Sequence, residues 1–597
     1  MTWVVERVER WMPRHLARGR WTGFVAGAVL TAGFLAVCGR MEAPWFVLLF
    51  VALVPWVWAL DRAASAAEAV GAGVLLSVAF AGAVFPWFPT TVERYAGAGA
   101  GTGVVWLLFL VAAPVLEPQF VTFALTRHLA RRQGAGLLAR GAPLLVYVGT
   151  ELLLPKLFFD TLGLALYPSS FLRQGADLAG VHGLTLLVLA VNDLVVAALQ
   201  RTVRDGAREP RARPGEEAVA REPAWRPLAW AAGLVGVALG YGAVRVAQLG
   251  GPGEGRGLVV AAVQANITNY DRLRAEKGAY DTVRTILDAH LAMSAEIRAR
   301  SKPDLIVWPE TVYPTTFGHP RSEAGAAFDG EIRALVAETG VPLVFGAYDT
   351  DGEREFNAAF FLGAASGGKA PGASYRKRML FPLTEWVPAE IDSDWLRREM
   401  PWAGRWARGP GPRVIDLPLG RGDVLSVVPL ICYDVLFPGF VAEAARGGAD
   451  LIVTISNDSW FPDVRAPRLH LISAAFRSVE TRLPQVRATN SGISAMISPT
   501  GEMVATAGWE QRETLTATLA GAGRPVTLAM VLGPWLGPAA LVGGLALLLA
   551  SRHRARRAPA PQAQTTPQAQ AEAPTRPPPE AAQRKRKKRT KPGTTTK

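Results

Sequence analysis

The stretch that decides the fold is Val424-Leu425-Ser426-Val427-Val428-Pro429-Leu430-Ile431-Cys432-Tyr433-Asp434. Its apolar, partly β-branched run predicts a buried strand, and Cys432 lies where that strand ends. A residue in this position is presented at the edge of a sheet, where α/β proteins build their active sites. A free cysteine is more often a small buried hydrophobe than a nucleophile, so Cys432 alone leaves both interpretations open.

The composition favours a membrane protein with more than one domain. Half of the 597 residues are apolar, yet the formal net charge is +14. The positive charge lies between apolar runs and in the tail, which suggests an anionic lipid surface at least as much as nucleic acid. The two cysteines, Cys38 and Cys432, give no disulfide framework, and no Cys and His spacing typical of a metal site appears. We expect no cofactor, no metal and no specific nucleic-acid partner.

The first 250 residues predict a basic N-terminus, residues 1–20, followed by a transmembrane bundle of about seven spans, residues 21–250. Each candidate span is near the roughly 20 residues that cross the hydrocarbon core. The candidates are residues 21–38, 44–60, 66–86, 103–125, 142–159, 178–199 and 227–248. The charges of Glu151 and Lys156 interrupt the fifth candidate, so a buried or re-entrant helix is the alternative there.

The distribution of arginine predicts the topology. Excess Lys and Arg marks the cytoplasmic side of a membrane protein, and arginines cluster after the fourth and sixth candidate spans, whereas residues 39–43 and 87–102 carry few. With a cytoplasmic N-terminus, the chain then emerges outside near residue 250. A last span at 527–549 returns it inside, and residues 551–597 form a basic, Pro- and Gln-containing tail that we expect to be disordered.

Residues 256–515 have the pattern of an α/β domain. Strand-like segments, including Leu305–Trp308 and Val424–Ile431, alternate with amphipathic stretches such as Asp281–Arg300. Three segments place reactive groups just past strands: Glu310 follows Asp304–Pro309, Lys377 and Glu385 lie in Tyr375–Glu385, and Cys432 ends its own strand. Taken singly, each charged residue is more often a solvated surface group.

Together, Glu310, Lys377 and Cys432 resemble, in their order, the nitrilase or carbon–nitrogen hydrolase superfamily. The surrounding sequence motifs strengthen the resemblance: Trp308-Pro309-Glu310, Ile431-Cys432-Tyr433, Ser456-Asn457-Asp458-Ser459-Trp460-Phe461 and Arg487-Ala488-Thr489-Asn490-Ser491-Gly492. With apolar runs on both sides, the chain resembles the apolipoprotein N-acyltransferase family. The resemblance implies a polytopic α-helical membrane domain plus an extracytoplasmic nitrilase-like αββα sandwich.

The chain departs from the family pattern in three places. Asp434 stands where a glutamate usually follows Cys-Tyr, Pro382-Leu383-Thr384-Glu385 replaces a more usual Pro-Phe-Gly-Glu, and no tryptophan follows Val263–Ile267. We expect these changes to alter contacts with lipid or acceptor and to leave the three reactive residues in place.

The resemblance also implies a reaction. A thiol needs a nearby base to become a nucleophile; Glu310 takes the proton of Cys432, and Lys377 stabilises the oxyanion. Supporting roles fall to Glu385, Tyr433, Asp434 and Asn357. The implied partners are a membrane phospholipid as acyl donor, with the sn-1 chain of phosphatidylethanolamine expected, and a diacylglyceryl apolipoprotein as acceptor. A Cys432 thioester would link the two half-reactions in ping-pong kinetics, as the last step of bacterial lipoprotein maturation at the periplasmic face of the inner membrane.

A tryptophan-rich segment follows Glu385. Because tryptophan favours the membrane interface, our hypothesis is that Trp386, Trp395 and Trp402 belong to a lipid-contacting lid, with ordinary packing of a long loop as the alternative.

Two other functions remain open from the sequence. A membrane-anchored amidase or nitrilase would use the same three residues and pass the acyl group to water. A non-catalytic scaffold or transporter would instead use Glu151 and Lys156 along a transport path.

Overall fold

Apolar helices form the N-terminal part of the chain in the computed structural model, which describes residues 14–96, 102–134, 136–154, 156, 158, 160–206, 223–249, 257–268, 270–364, 372–520, 523–524 and 526–557. These helices are α1 (Arg14–Cys38), α2 (Val54–Leu60), α3 (Ala66–Val84), α4 (Phe88–Ala96), α5 (Thr102–Leu116), α6 (Pro118–Arg131), α7 (Leu137–Leu153), α8 (Ala176–Gly206) and α9 (Arg226–Leu249). Helix α8 is kinked at Ala179 and Gly180, where the backbone is not helical.

Within the described residues, five helices are long and apolar enough to cross a membrane: Gly19–Cys38, α3, Leu172–Val203, α9 and the C-terminal Leu528–Arg557. Helices α5 and α6 together make a sixth candidate that is bent by 47°. Pro118 starts α6 directly after Glu117, and a proline cannot continue the hydrogen-bonded ladder of the preceding helix. The expected span at 103–125 is therefore broken near its middle.

Two other expected spans also differ in detail from continuous helices. The segment 44–60 is a 3-10 turn, Trp45–Phe50, followed by the short helix α2. The segment 142–159 is helical only as far as Leu153, because α7 ends there, and Lys156 beyond it is buried among acidic side chains.

The described residues of the second part of the chain form thirteen strands: β1 (Leu258–Gln264), β2 (Leu305–Val307), β3 (Tyr313–Thr316), β4 (Leu343–Thr350), β5 (Glu355–Leu362), β6 (Gly372–Arg376), β7 (Ile415–Pro418), β8 (Val424–Ile431), β9 (Leu451–Ser456), β10 (Gln485–Thr489), β11 (Ala495–Ile497), β12 (Met503–Thr506) and β13 (Glu513–Leu519). Its helices are α10 (Tyr270–Arg300, broken at Gly278), α11 (Glu323–Thr339), α12 (Asp394–Glu399), α13 (Pro438–Ala445) and α14 (Arg465–Thr481), and α15 (Leu528–Arg557) closes the described chain.

The strands form two sheets. The first has the order β13-β1-β2-β4-β5-β6, with β3 paired to β4, and the second has the order β12-β11-β10-β9-β8-β7. In the first sheet β1, β2 and β4 are parallel, and in the second β8, β9 and β10 are parallel. Strand β6 is antiparallel to β5, which is antiparallel to β4, so β2 and β6 end at the same edge of the first sheet.

Alternation along the strands divides the buried residues between two cores. Val260, Ala262, Leu305 and Val307 contribute to the core that also contains the second sheet, whereas the intervening Ile306 packs with α10 and α11. Successive strand residues point to opposite faces, so the first sheet lies between a helical layer and the second sheet. Residues of α13 and α14 complete the inner core from the other side. The αββα sandwich expected from the sequence is confirmed.

A buried polar junction joins the two parts of the chain. The Arg482 guanidinium, fully buried, lies 2.7 Å from Asp177 Oδ2 near the start of α8. The carboxylate of Glu480 accepts a 2.8 Å hydrogen bond from Val181 N at the kink of that helix. These buried polar contacts connect the apolar helices directly to the α/β domain.

Candidate active site

The site lies where strand ends of the two sheets meet. Glu310 follows β2, Lys377 follows β6, Cys432 follows β8 and Asn457 follows β9. The fold thus brings together the three residues that the sequence singled out, although they are far apart along the chain.

Glu310 is held on both oxygens. Its Oε1 accepts hydrogen bonds from Asn357 Nδ2 at 2.7 Å and from Lys377 Nζ at 3.2 Å, and its Oε2 accepts one from the backbone N of Asn457 at 2.8 Å. The side chain is buried. Gly346 of β4 passes close behind, since an added Cβ there would lie 2.5 Å from Thr311 N. The carboxylate is therefore fixed in one orientation before any substrate binds.

Lys377 lies between two carboxylates. Its Nζ is 3.2 Å from Glu310 Oε1 and 2.8 Å from Glu385 Oε1, and only 2% of the side chain is exposed. Burial disfavours the ammonium form, but Glu310 and Glu385 together outweigh burial and raise the pKa of Lys377 well above its ordinary value. Lys377 is accordingly a charged donor at neutral pH.

Glu385 and Asn357 fix this lysine and glutamate in place. Asn357 Nδ2 also lies 3.2 Å from Glu385 Oε1, and Glu385 Oε2 accepts a 2.8 Å hydrogen bond from Phe381 N. Asn357 therefore bridges the two acids while its own backbone carbonyl accepts from Lys377 N at 2.8 Å. The four side chains form one continuous hydrogen-bonded group.

Cys432 stands on a sharp turn. Its φ is 48°, in the left-handed region that non-glycine residues rarely occupy, and it opens the 3-10 turn Cys432–Leu436. Such strain occurs at functional sites. Burial raises the pKa of the Cys432 thiol, the Glu310 carboxylate raises it further, and Lys377 opposes both. The thiol therefore keeps its proton at neutral pH until a base removes it.

Asp434 joins the Cys432 turn to the Lys377 segment. Its Oδ2 accepts hydrogen bonds from Tyr375 OH at 2.8 Å and Ile431 N at 3.0 Å, and its Oδ1 accepts one from Met379 N at 2.8 Å. It is fully buried, and burial raises its pKa to about 6 despite the nearby Lys377. The shorter acid in place of the usual glutamate thus ties the end of β6 to the end of β8.

Sequence reasoning assigned no role to a buried group behind Cys432. His470 Nε2 lies 3.0 Å from the Cys432 carbonyl oxygen, and its Nδ1 lies 3.3 Å from Asp458 Oδ1. Arg487 Nη2 donates to Asp458 Oδ2 at 2.7 Å. Asp458 and Arg487 belong to sequence motifs that carry the family resemblance. His470, on α14, lies outside these motifs, so the sequence alone offered no reason to select it.

Cys432, Asp458 and His470 also form the group of possible metal ligands within the described residues, because their ligand atoms lie within 4.8 Å of one another. Asp458 and His470 already have protein hydrogen-bond partners, including each other and Ser456. These contacts account for the cluster without an ion.

The remaining candidates lie around the site. Tyr433 packs edge-on against Phe381, with ring centroids 5.0 Å apart, and Phe381 contacts Phe158 of the membrane part at 6.2 Å. Trp386 donates from Nε1 to Leu380 O at 3.0 Å, whereas Trp395 is 62% exposed on α12. Trp402 is partly buried. The tryptophan segment thus combines an anchored end and an exposed apolar tip.

Two family profiles match the chain. The carbon–nitrogen hydrolase profile matches residues 259–524, and the profile of the apolipoprotein N-acyltransferase N-terminal domain matches residues 32–194. The first match contains all the site residues described above, and the second lies in the apolar helices.

Curated relatives extend the likeness over most of the chain. An apolipoprotein N-acyltransferase of Bdellovibrio bacteriovorus is 27% identical over 489 residues, which cover 80% of this chain and 84% of the relative. One of Geobacter metallireducens is 29% identical over 471 residues, which cover 76% of this chain and 82% of the relative. Among solved structures, an amidase from Nesterenkonia sp. is 20% identical, covers 47% of this chain and 97% of its own, and has a TM-score of 0.34. With both of its parts matched by their own profiles, the chain belongs to the apolipoprotein N-acyltransferase family of the carbon–nitrogen hydrolase superfamily.

Proposed function

We propose that this protein transfers a fatty acyl chain from a membrane phospholipid to the α-amino group of a diacylglyceryl apolipoprotein. The observation that carries the proposal is the buried group of Glu310, Lys377, Glu385 and Asn357, whose charged members interact electrostatically with the Cys432 thiol. It supplies a fixed carboxylate, a fixed cation and a strained thiol in one place, which nucleophilic acyl transfer requires. The names of the curated relatives support the acceptor.

In the first half-reaction, Glu310 takes the proton of the Cys432 thiol as sulfur attacks the sn-1 ester carbonyl of the phospholipid. The Lys377 ammonium stabilises the tetrahedral oxyanion, with the backbone N–H of Tyr433 as a second donor. The C–O bond to glycerol then breaks and Glu310 returns the proton to the leaving oxygen. The products are a lysophospholipid and a Cys432 thioester.

In the second half-reaction, the α-amino group of the lipidated cysteine attacks the thioester carbonyl. Glu310 takes the proton from nitrogen, the C–S bond breaks, and the proton returns to sulfur. The outcome is an amide and the free thiol, by ping-pong kinetics. Phosphatidylethanolamine is the donor we expect.

Lysophospholipid release tests the transferase against a hydrolase. Purified protein is incubated with phosphatidylethanolamine, with and without a synthetic diacylglyceryl lipopeptide, and lysolipid and N-acylated peptide are quantified by mass spectrometry. We expect sustained lysolipid release only with lipopeptide, in equal amount to the N-acylated product, and neither product from Cys432→Ala. Equal release without lipopeptide would contradict the transferase and identify a lipid hydrolase.

The membrane arrangement belongs to the same proposal. The apolar helices and the relatives support a multi-pass inner-membrane protein, and the arginine distribution favours cytoplasmic termini with residues 256–515 in the periplasm. In a Cys38→Ala, Cys432→Ala background, we expect Ser393→Cys, at the exposed position just before α12, to react with a membrane-impermeant maleimide in intact spheroplasts. Labelling of this cysteine only after lysis would show the opposite orientation, with residues 256–515 on the cytoplasmic side.

A further inference from the structure

A buried histidine of α14 contacts the backbone of the candidate nucleophile. His470 Nε2 lies 3.0 Å from the carbonyl oxygen of Cys432, and only 7% of the residue is exposed. A backbone carbonyl oxygen accepts hydrogen bonds and never donates them, so Nε2 carries the hydrogen of this bond. His470 therefore donates to the peptide group that joins the nucleophile to Tyr433.

Two charged side chains hold the imidazole ring at its other nitrogen. His470 Nδ1 lies 3.1 Å from Arg487 Nη2 and 3.3 Å from Asp458 Oδ1. These two groups are also tied to each other, because Arg487 Nη2 donates to Asp458 Oδ2 at 2.7 Å, and Ser456 Oγ donates to Asp458 Oδ1 at 2.7 Å. All four side chains are buried. The ring is thus held in one orientation, with Nε2 directed at the Cys432 carbonyl.

This arrangement does not suit a base. Nε2 already donates to a carbonyl oxygen, and Nδ1 is engaged by a guanidinium and a carboxylate. Neither nitrogen is placed to take the proton of the Cys432 thiol, and in the proposed reaction Glu310 does so. What His470 fixes is the backbone of the nucleophile.

Fixing the Cys432 carbonyl has a consequence on the other side of the same peptide group. The peptide unit is planar, and in its trans form the C=O and N–H bonds point in opposite directions. A hydrogen bond that holds the Cys432 carbonyl therefore also sets the direction of the Tyr433 N–H, the second oxyanion donor of the proposed reaction. Hydrogen bonds in series also polarise one another, so donation to the carbonyl strengthens that N–H as a donor.

The backbone of Cys432 needs such support. Its φ of 48° is rare for a residue with a side chain, and strained conformations persist only where the surrounding structure holds them. Asp434 holds the turn from one side, since its Oδ2 accepts a hydrogen bond from Ile431 N at 3.0 Å. His470 holds it through the Cys432 carbonyl.

We propose that His470 is a positioning residue for acyl transfer, which holds the peptide group between Cys432 and Tyr433 so that its N–H points at the oxyanion. The inference rests on the proposed function, because an oxyanion forms only if Cys432 attacks an acyl carbonyl. Both half-reactions pass through a tetrahedral oxyanion next to the Cys432 sulfur, so His470 serves both of them.

Two amide substitutions test the inference. The side-chain nitrogen of glutamine lies as far along the chain as Nε2 of histidine, whereas that of asparagine reaches only as far as Nδ1. His470→Gln therefore keeps a donor for the Cys432 carbonyl, and His470→Asn loses it. Acylation of Cys432 by phosphatidylethanolamine alone is followed by intact mass at several lipid concentrations.

His470→Asn should lower the maximal acylation rate by about 10–100-fold, because a misplaced oxyanion donor costs up to as much as a missing one. The lipid concentration that gives half of the maximal rate should not change, since the oxyanion exists only in the transition state and the intermediate. His470→Gln should recover most of the maximal rate.

Two further readouts separate positioning from a general loss of structure. In a Cys38→Ala background, alkylation of Cys432 by iodoacetamide displaces iodide and forms no oxyanion, so its rate should be the same with and without His470→Asn. In the acyl-enzyme, a thioester carbonyl that accepts weaker hydrogen bonds vibrates at higher frequency. The infrared band of an isotope-labelled thioester should therefore shift upward in His470→Asn and stay in place in His470→Gln.

Ser473→Ala is the matched control, because it removes a buried hydrogen bond within the same helix, from Ser473 Oγ to Leu469 O at 2.8 Å. It should leave the acylation rate and the thioester band unchanged. Equal maximal rates for the native and His470→Asn proteins, equal losses in the two amide variants, or a fall in alkylation that matches the fall in acylation would overturn the inference alone. No acylation of the native protein would remove the proposed function, and the role of His470 with it.

Discussion

Replacing Lys377 by methionine should destabilise the α/β domain and slow acyl transfer by about 10²–10³-fold, and a second substitution should restore only the stability. In the native chain the ammonium lies 3.2 Å from Glu310 and 2.8 Å from Glu385. Lys377→Met leaves two buried acids, bridged by Asn357, without their cation. Breaking a buried ion pair by removing one partner costs about 3–5 kcal/mol, which corresponds to a fall of roughly 10 °C in the unfolding midpoint for a domain of this size.

The pH dependence of this contribution has a definite sign. The carboxylates raise the pKa of Lys377 above its ordinary value, so the folded chain binds the proton more tightly than the unfolded chain. The stabilisation is therefore complete below the ordinary lysine pKa of about 10.4 and is lost only as pH rises through the folded value. The titration of Lys377 itself therefore contributes the same stabilisation to the native chain throughout the range from about pH 6 to pH 8.

A charge-matched variant separates stability from catalysis. Lys377→Met with Glu385→Gln removes one cation and one anion, so much of the lost stability should return, while the missing oxyanion donor should still lower acyl-enzyme formation by about 10²–10³-fold. The assay is intrinsic tryptophan fluorescence on heating in detergent at one scan rate, beside intact-mass measurement of acylation. An unfolding midpoint unchanged by Lys377→Met, or no recovery in the double variant, would refute the reasoning.

Three further perturbations test neighbouring parts of the site. In a Cys38→Ala background, Glu310→Gln should shift the pH profile of Cys432 alkylation by iodoacetamide to lower pH, because the carboxylate adds to the effect of burial in raising the thiol pKa. The same substitution should slow acyl transfer by about 10²–10⁴-fold, because the base is lost. An unshifted alkylation profile would contradict the electrostatic coupling between Glu310 and Cys432. Since burial raises the pKa of Asp434 from 3.8 to about 6, the native chain should lose about 3 kcal/mol of stability as pH rises through that window, and Asp434→Asn should remove this loss, as measured by thermal unfolding at each pH. Trp395→Ser should slow acylation of the protein by vesicle lipid without changing the unfolding midpoint. Tyr280→Ser, at a similarly exposed aromatic residue on α10, should leave the acylation rate unchanged. Equal acylation rates for the Trp395→Ser and native proteins would reject the lid.

Local patterns were enough to predict the elements that build the site. The apolar run at Val424–Ile431 and the shorter one beginning at Leu305 form β8 and β2, because continuous apolar runs next to turn residues have few alternatives in an α/β domain. Glu310 and Cys432 lie just past these two strands. The position of each reactive residue relative to its own strand is therefore a local property, readable from a dozen residues.

Contacts between distant segments could not be predicted in the same way. The bond from Tyr375 to Asp434 and the contact of His470 with the Cys432 carbonyl each depend on how two sheets and a helix pack. In the sequence Asp434 is a shorter acid where a glutamate is usual, yet in the fold its carboxylate accepts hydrogen bonds from both strand ends. Such roles follow from tertiary packing, on which residue type carries little information.

The membrane part shows the same limit. Hydropathy located the apolar segments, but not the bend between α5 and α6 or the end of α7 at Leu153. Glu117, Glu151 and Lys156 are single charges in the sequence, and only the packing of the helices brings them into contact. Charged residues in apolar runs were flagged as costly, but their mutual pairing could not be inferred from spacing.

The central claim is that Cys432 carries the acyl group between lipid and acceptor, and intact-mass spectrometry of the protein incubated with phosphatidylethanolamine alone tests it most directly. The account predicts a fatty-acyl mass increment that maps to Cys432, is absent from Cys432→Ala, and disappears on addition of a diacylglyceryl lipopeptide as the N-acylated peptide forms. No increment on folded protein, or an increment lost to water equally fast without lipopeptide, would contradict it.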